Sequence, residues 1–206
     1  MTPPEPLIHV VDDDASFRNS LARLLQAAGY RTALYESGDA FLANPPAGEP
    51  GCILLDMQMN GLNGFQLQEH LTKSGSILPI IFLTAHANVP ASVQAMRAGA
   101  EDFLPKPVGK EALFESVERA LARYAERRGE HDRLDAMRKL VASLTPRETE
   151  VFTLIVRGKL NKQIANELGT SERTIKAHRH AVMRKLGVQS FAEAVLIAER
   201  LDLMRG

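Results

Sequence analysis

Five polar residues stand at the ends of apolar runs in this 206-residue chain: Asp12 and Asp13 after "LIHVV", Asp56 after "GCILL", Thr84 after "PIIFL", and Lys106, followed by Pro107, after "DFLP". If folding gathers them, the carboxylates repel one another, which raises at least one pKa unless a cation intervenes. Donors that are all oxygen favour a hard ion such as Mg²⁺ that keeps several waters. Such a site suits phosphoryl transfer, in which a metal and an ammonium group neutralise charge on the equatorial oxygens. Asp56 is then the nucleophile, Lys106 grips a phosphoryl oxygen and Thr84 hydrogen-bonds it. Each residue also has a structural reading of its own. Asp14 fits a helix N-cap, Thr84 a turn or cap, and Lys106 a surface lysine.

The elements that must position them read as short β-rich runs alternating with amphipathic ones. The strands are 7–12, 31–36, 52–56, 79–84 and 101–105, and the helices 15–29, 39–44, 65–73, 89–99 and 110–124. Such alternation predicts right-handed βαβ units and a doubly wound α/β fold, a parallel five-stranded sheet with helices on both faces. Ligands bind beyond the carboxyl ends of such strands, which is where the polar residues fall.

Farther along, residues 125–143 are charged, contain Gly129 and no proline, and carry Leu134, Met137 and Val141, which with the following Leu144 recur at helical spacing. They predict a helical linker, loosened near Gly129, whose apolar seam packs on its own domains in preference to forming a short coiled coil. Thr145, Pro146 and Glu148 form a helix start. A helix over 161–168 stops at Gly169, and Ser171 caps another over 172–186, the helix-turn-helix pattern. On the second helix Ile175, Val182 and Leu186 share an apolar side, with His178 read as a core histidine. Lys176, His180 and Arg184 share another side with Arg173 and Ala177. That face fits a major groove, where long donors reach base edges and a small residue meets a thymine methyl. The alternative is a solvated face.

The net charge of zero conceals an uneven distribution. Lys and Arg number 8 against 14 Asp and Glu in residues 1–122, 6 against 4 in 123–143, and 11 against 7 in 144–206. An acidic front and a basic rear suggest two domains with different partners. The N-terminus lacks a basic segment followed by a long apolar one, and no stretch approaches 18 apolar residues. These features predict a soluble, cytoplasmic protein without a membrane partner. One cysteine, Cys52, excludes an internal disulfide and a cysteine metal cluster.

Two sets of motifs carry a resemblance to known families. "VVDDD", "ILLDM", "FLTAH" and "DFLPKP" make residues 7–124 resemble the receiver domain of bacterial two-component response regulators, which has a flavodoxin-like fold. "LTPRETEV", "GKLNKQIA", "SERTIKAHR" and "RKLGV" make residues 144–203 resemble the LuxR-type helix-turn-helix of the NarL/FixJ response regulators.

The resemblance implies a receiver domain over 1–124, a linker over 125–143 and a DNA-binding domain over 144–206. It implies that Asp56 accepts phosphate from a partner histidine kinase. Mg²⁺ would be held by Asp13, Asp56 and the Gln58 carbonyl, with Asp12 acting through water. Thr84 and Phe103 would be switch residues, Ala85 leaving room for Thr84 to move, and the Lys106-Pro107 bond would be cis. It further implies base contacts by Lys176, Ala177 and His180, and phosphate contacts by Lys162, Thr174, Arg179, Arg184 and Lys185. The implied partners are promoter DNA, a second copy of the chain through the helix starting at Phe191, and RNA polymerase. Asn60 stands where the family has proline, which predicts a more mobile loop and an altered phosphate lifetime; Gln58 and His86 are placed to tune hydrolysis. Two rivals remain: a Mg²⁺-dependent aspartyl phosphatase, and a DNA binder that works without phosphorylation.

Overall fold

Strand β3 (Gly51–Asp56) is buried at every position, because its apolar run is covered on both sides, the environment of a central parallel strand. It is the middle strand in the computed structural model, which describes residues 5–46, 48–85 and 89–203. Around it lie β1 (Leu7–Val11), β2 (Arg31–Tyr35), β4 (Ile80–Thr84) and β5 (Asp102–Pro105), all parallel, in the order β2-β1-β3-β4-β5. The helices between them are α1 (Ala15–Ala27), α2 (Gly38–Ala43), α3 (Gly64–Lys73) and α4 (Val89–Arg97), and α5 (Lys110–Ala142) follows β5. The α/β fold expected from the alternation is therefore present, with element ends within about two residues of those expected, except that α5 runs on through the linker to Ala142 instead of ending at 124.

Period-two alternation divides the strands between two cores. Cys52 and Leu54 face α1 and α5 with Leu25, Leu113 and Val117, whereas Ile53 and Leu55 face the other side with Phe41, Leu67 and Phe82. Cys52 is fully buried, and burial pushes its thiol pKa up to about 12. On α5, Leu113, Val117, Ala120 and Tyr124 recur on one buried stripe. Asp102 of β5 anchors that helix, accepting a hydrogen bond from the Ser116 hydroxyl at 2.7 Å and pairing with Arg119.

The chain divides into two compact units between Arg128 and Gly129. Helix α5 is unbroken at Gly129, where loosening was expected, so a single glycine costing about 1 kcal/mol does not end it. The second unit contains α6 (Pro146–Val156), α7 (Asn161–Glu167), α8 (Glu172–Leu186) and α9 (Phe191–Arg200). Met137, Val141 and Leu144 join Phe152, Val182 and Ala194 in its core, so the seam packs within its own unit. A second cluster unites Val151, Ile155, Ile164 and Ile175. Thr145 caps α6 through a capping box with Glu148, Gly169 (φ 60°) turns the chain after α7, and Ser171 caps α8.

Candidate functional site

Strand register brings the rim residues level. Val11 pairs with Leu55, so Asp12 and Asp56, each one residue farther along, leave the sheet side by side. Asp56 itself pairs with Leu83, and the Lys106 N–H donates to the Thr84 carbonyl at 2.7 Å, which adds the ends of β4 and β5. Gly64 permits this closeness at the start of α3. A Cβ there would lie 2.5 Å from the Asp56 carbonyl oxygen and 2.9 Å from the Phe82 ring.

Lys106 is the hub. Its Nζ lies 2.6 Å from Asp12 Oδ2 and 3.2 Å from Asp56 Oδ1, and 4.4 Å from the centre of the Phe17 ring. Asp12 and Asp56 are buried, so the ammonium group separates two carboxylates in a low-dielectric site. Burial raises the Asp56 pKa; Lys106 opposes that shift, nearby Asp12 adds to it, and the Gln58 backbone N–H lowers it by hydrogen bonding. Asp12 Oδ1 accepts the Asp14 N–H, and Arg18 donates to the Asp12 carbonyl. Asp14 caps α1 by accepting the Ser16 and Phe17 N–H groups, as its structural reading held.

Asp12, Asp13 and Asp56 each offer an oxygen, and these three atoms lie within 4.8 Å of one another. This all-oxygen set fits a hard divalent cation. Asp13 is exposed, and its Oδ2 accepts two hydrogen bonds from Asn60, from the backbone N–H and the side-chain Nδ2, both at 3.1 Å. Asn60 thus ties this loop to Asp13, and Asn63 and Gln66 close it with a capping box at α3. A cavity of about 470 Å³ opens beside it, lined by Asp13, Met57, Gln58, Met59, Asn60, Asn63 and Phe65. Thr84 is buried, and Phe103 is half-buried against the Leu55 side of the sheet. His86 lies outside the described residues.

In the second unit, Lys162, Thr174, Lys176, Ala177, His180 and Arg184 are exposed, with Arg173 beside them. Ile175, Val182 and Leu186 are buried on the opposite side of α8. Two expectations need correction. His178 is half-buried at the edge of the helix, because the core positions are already filled by Ile175 and Val182. Lys185 turns inward: its Nζ lies 2.6 Å from Glu148 Oε2 and 3.2 Å from the Ser143 carbonyl, so its charge is committed within the unit. The hydrogen bond from Lys185, with those from Thr145, holds the Glu148 pKa at about 2. Arg179 is half-buried, its guanidinium 5.9 Å from the centre of the Phe191 ring.

The family model for the response regulator receiver domain matches residues 8–118, and that for bacterial regulatory proteins of the luxR family matches 142–198. The chain belongs to the NarL/FixJ response regulators. This response regulator is 39% identical over 196 residues to the transcriptional regulatory protein FixJ of Azorhizobium caulinodans, covering 95% of this chain and 93% of that one. It is 36% identical over 195 residues to the response regulator protein TodT of Pseudomonas putida, covering 95% and 86%. The solved structure of response regulator StyR shares 44% identity at a TM-score of 0.77, covering 96% of this chain and 100% of that one. Full-length FixJ from B. japonicum shares 37% at 0.58, covering 96% and 98%.

The response regulator thus pairs a receiver domain with a LuxR-type DNA-binding domain, and regulation of transcription follows from that pairing. No described helix is long and apolar enough to cross a membrane. In its receiver domain the residues read from strand ends converge, while three neighbours were not anticipated: Phe17 beneath Lys106, Arg18 on the Asp12 carbonyl, and Asn60 on Asp13. Position 17 is a helix residue in sequence, and only the packing of α1 across the rim places it under the ammonium group.

Proposed function

We propose that Asp56 is the phosphoacceptor of a two-component system, and that its modification controls dimerisation and promoter binding by residues 144–206. The observation that carries this reading is the Lys106 ammonium group 2.6 Å from Asp12 and 3.2 Å from Asp56, with Asp13 completing the oxygen cluster. Asp12, Asp13, Asp56 and the Gln58 carbonyl would hold Mg²⁺, which when bound neutralises charge on the transferred group. An Asp56 carboxylate oxygen forms a bond to phosphorus as the P–N bond to the kinase's phosphohistidine breaks. The imidazole nitrogen keeps that electron pair and takes a proton from solvent. Lys106 is within reach of Asp56 and grips the phosphoryl oxygen, while Thr84, at the end of the adjacent strand, hydrogen-bonds it and shifts with Phe103. Slow hydrolysis returns Asp56 to the carboxylate, so the chain is a phosphoacceptor and not a turnover enzyme.

On DNA, Lys176, Ala177 and His180 read bases from the exposed face of α8, and Lys162, Thr174, Arg179 and Arg184 meet phosphates. One short reading helix covers few base pairs, so two copies paired through α9 suit a two-fold site. The partners are a sensor histidine kinase, promoter DNA, a second copy and RNA polymerase, all in the cytoplasm. The test is incorporation of phosphate from acetyl phosphate: Asp56→Asn should abolish it, and undiminished labelling would refute the acceptor. Beryllofluoride should raise DNA affinity and favour dimers; unchanged affinity would indicate DNA binding independent of phosphorylation.

A further inference from the structure

Asn60 is not a bystander on the loop after β3. Asp13 lies on the exposed rim, where a carboxylate would ordinarily sample several rotamers. Here one of its oxygens accepts two donors from a single residue, the Asn60 backbone N–H and side-chain Nδ2, each at 3.1 Å. Both bonds are charge-assisted, and both fall on Oδ2. In that orientation the Asp13 carboxylate offers an oxygen within 4.8 Å of those from Asp12 and Asp56. The orientation that Asn60 enforces is therefore compatible with a shared cation. A proline at 60 has no backbone N–H and no side-chain amide, so it can supply neither bond.

We infer that Asn60 is a positioning residue for the divalent cation: it holds Asp13 in a ligating orientation before the ion arrives, and so raises the affinity of the acidic pocket. The inference rests on the metal-binding reading above. It follows a general pattern in which groups hydrogen-bonded to a ligating side chain contribute about 10- to 100-fold in metal affinity. Ordering Asp13 in advance spares the conformational entropy that metal binding would otherwise remove.

The test is titration of the full chain with Mn²⁺, a hard octahedral ion, following the paramagnetic resonance signal of the free ion. Asn60→Pro, which removes both donors, should weaken binding roughly 10-fold or more, and Asn60→Ala, which keeps the N–H, should fall between it and the wild type. In an Asp13→Asn background, Asn60→Ala should have little further effect, because the carboxylate it positions is gone. Thermal unfolding of each variant separates a lost fold from a lost ligand, and Asn60→Ala alone decides the matter if Asn60→Pro does not fold. Affinities of the Asn60 variants equal to or tighter than that of the wild type would overturn the inference, a tighter value meaning that Asn60 competes with the ion for Asp13. Failure of the wild type itself to bind Mn²⁺ would instead overturn the metal-site reading, and the inference with it.

Discussion

At the scale of single residues, burial decides protonation. His9 sits in β1 with no exposed surface, its ring packed against Tyr35 and Phe41, its Nδ1 3.3 Å from the Tyr35 hydroxyl, and its Nε2 without a partner among the described residues. Desolvation lowers its pKa from 6.5 to about 4, partly opposed by Glu49. The folded pKa lies below the unfolded one, so between these values the unfolded chain binds a proton that the folded receiver domain refuses. Stability present above pH 6.5 is lost as pH falls toward about 4, with a ceiling on the order of 3 kcal/mol. A nuclear magnetic resonance titration should show the His9 ring neutral at pH 5; an inflection near 6.5 would contradict this. The rim had the opposite legibility. Asp12, Asp56, Thr84 and Lys106 could be read from sequence because each ends a strand, and strand ends in a parallel sheet share one edge. His9 could not, since a histidine inside an apolar run does not disclose whether its nitrogens find partners.

At the scale of elements, the site depends on how tightly α3 begins against β3. Gly64 donates its N–H to the Met57 carbonyl at 3.1 Å, and its missing side chain leaves room for the Asp56 carbonyl. Gly64→Ala would place a methyl group 2.5 Å from that oxygen, against backbone that yields only by moving the strand tip. The expected outcome is a loss of roughly 1–3 kcal/mol in denaturant unfolding, the usual cost of overpacking, with slower phosphate incorporation from acetyl phosphate. Full stability and wild-type labelling would show that the loop absorbs the methyl group. Helix starts were legible here because their signals are local: Asp14, Thr145 and Ser171 each cap the helix that follows. The inward turn of Lys185 was not, because its partner Glu148 lies 37 residues away in sequence. Periodicity places Lys185 near a basic face but does not show which residue competes for its charge.

At the scale of the whole molecule, equal totals of 25 basic and 25 acidic residues resolve into an acidic receiver domain and a basic DNA-binding domain. Since neutralised phosphates release counterions, the salt dependence of DNA binding counts the cations that touch the backbone. Arg184→Ala should weaken binding across sequences and reduce the salt slope by about one. Lys185→Ala should leave that slope unchanged and lower the thermal midpoint instead, because its ammonium group already answers Glu148. Equal effects of the two substitutions on the slope would return Lys185 to the DNA. The core holds one more consequence for the chain as a whole. Its single cysteine, Cys52, lies between two sheet strands with no exposed surface and a thiol pKa of about 12, so almost none of it is thiolate at neutral pH. A maleimide dye would therefore pass over the native protein, and a single cysteine introduced on either unit would be its sole labelling point, with no background substitution required.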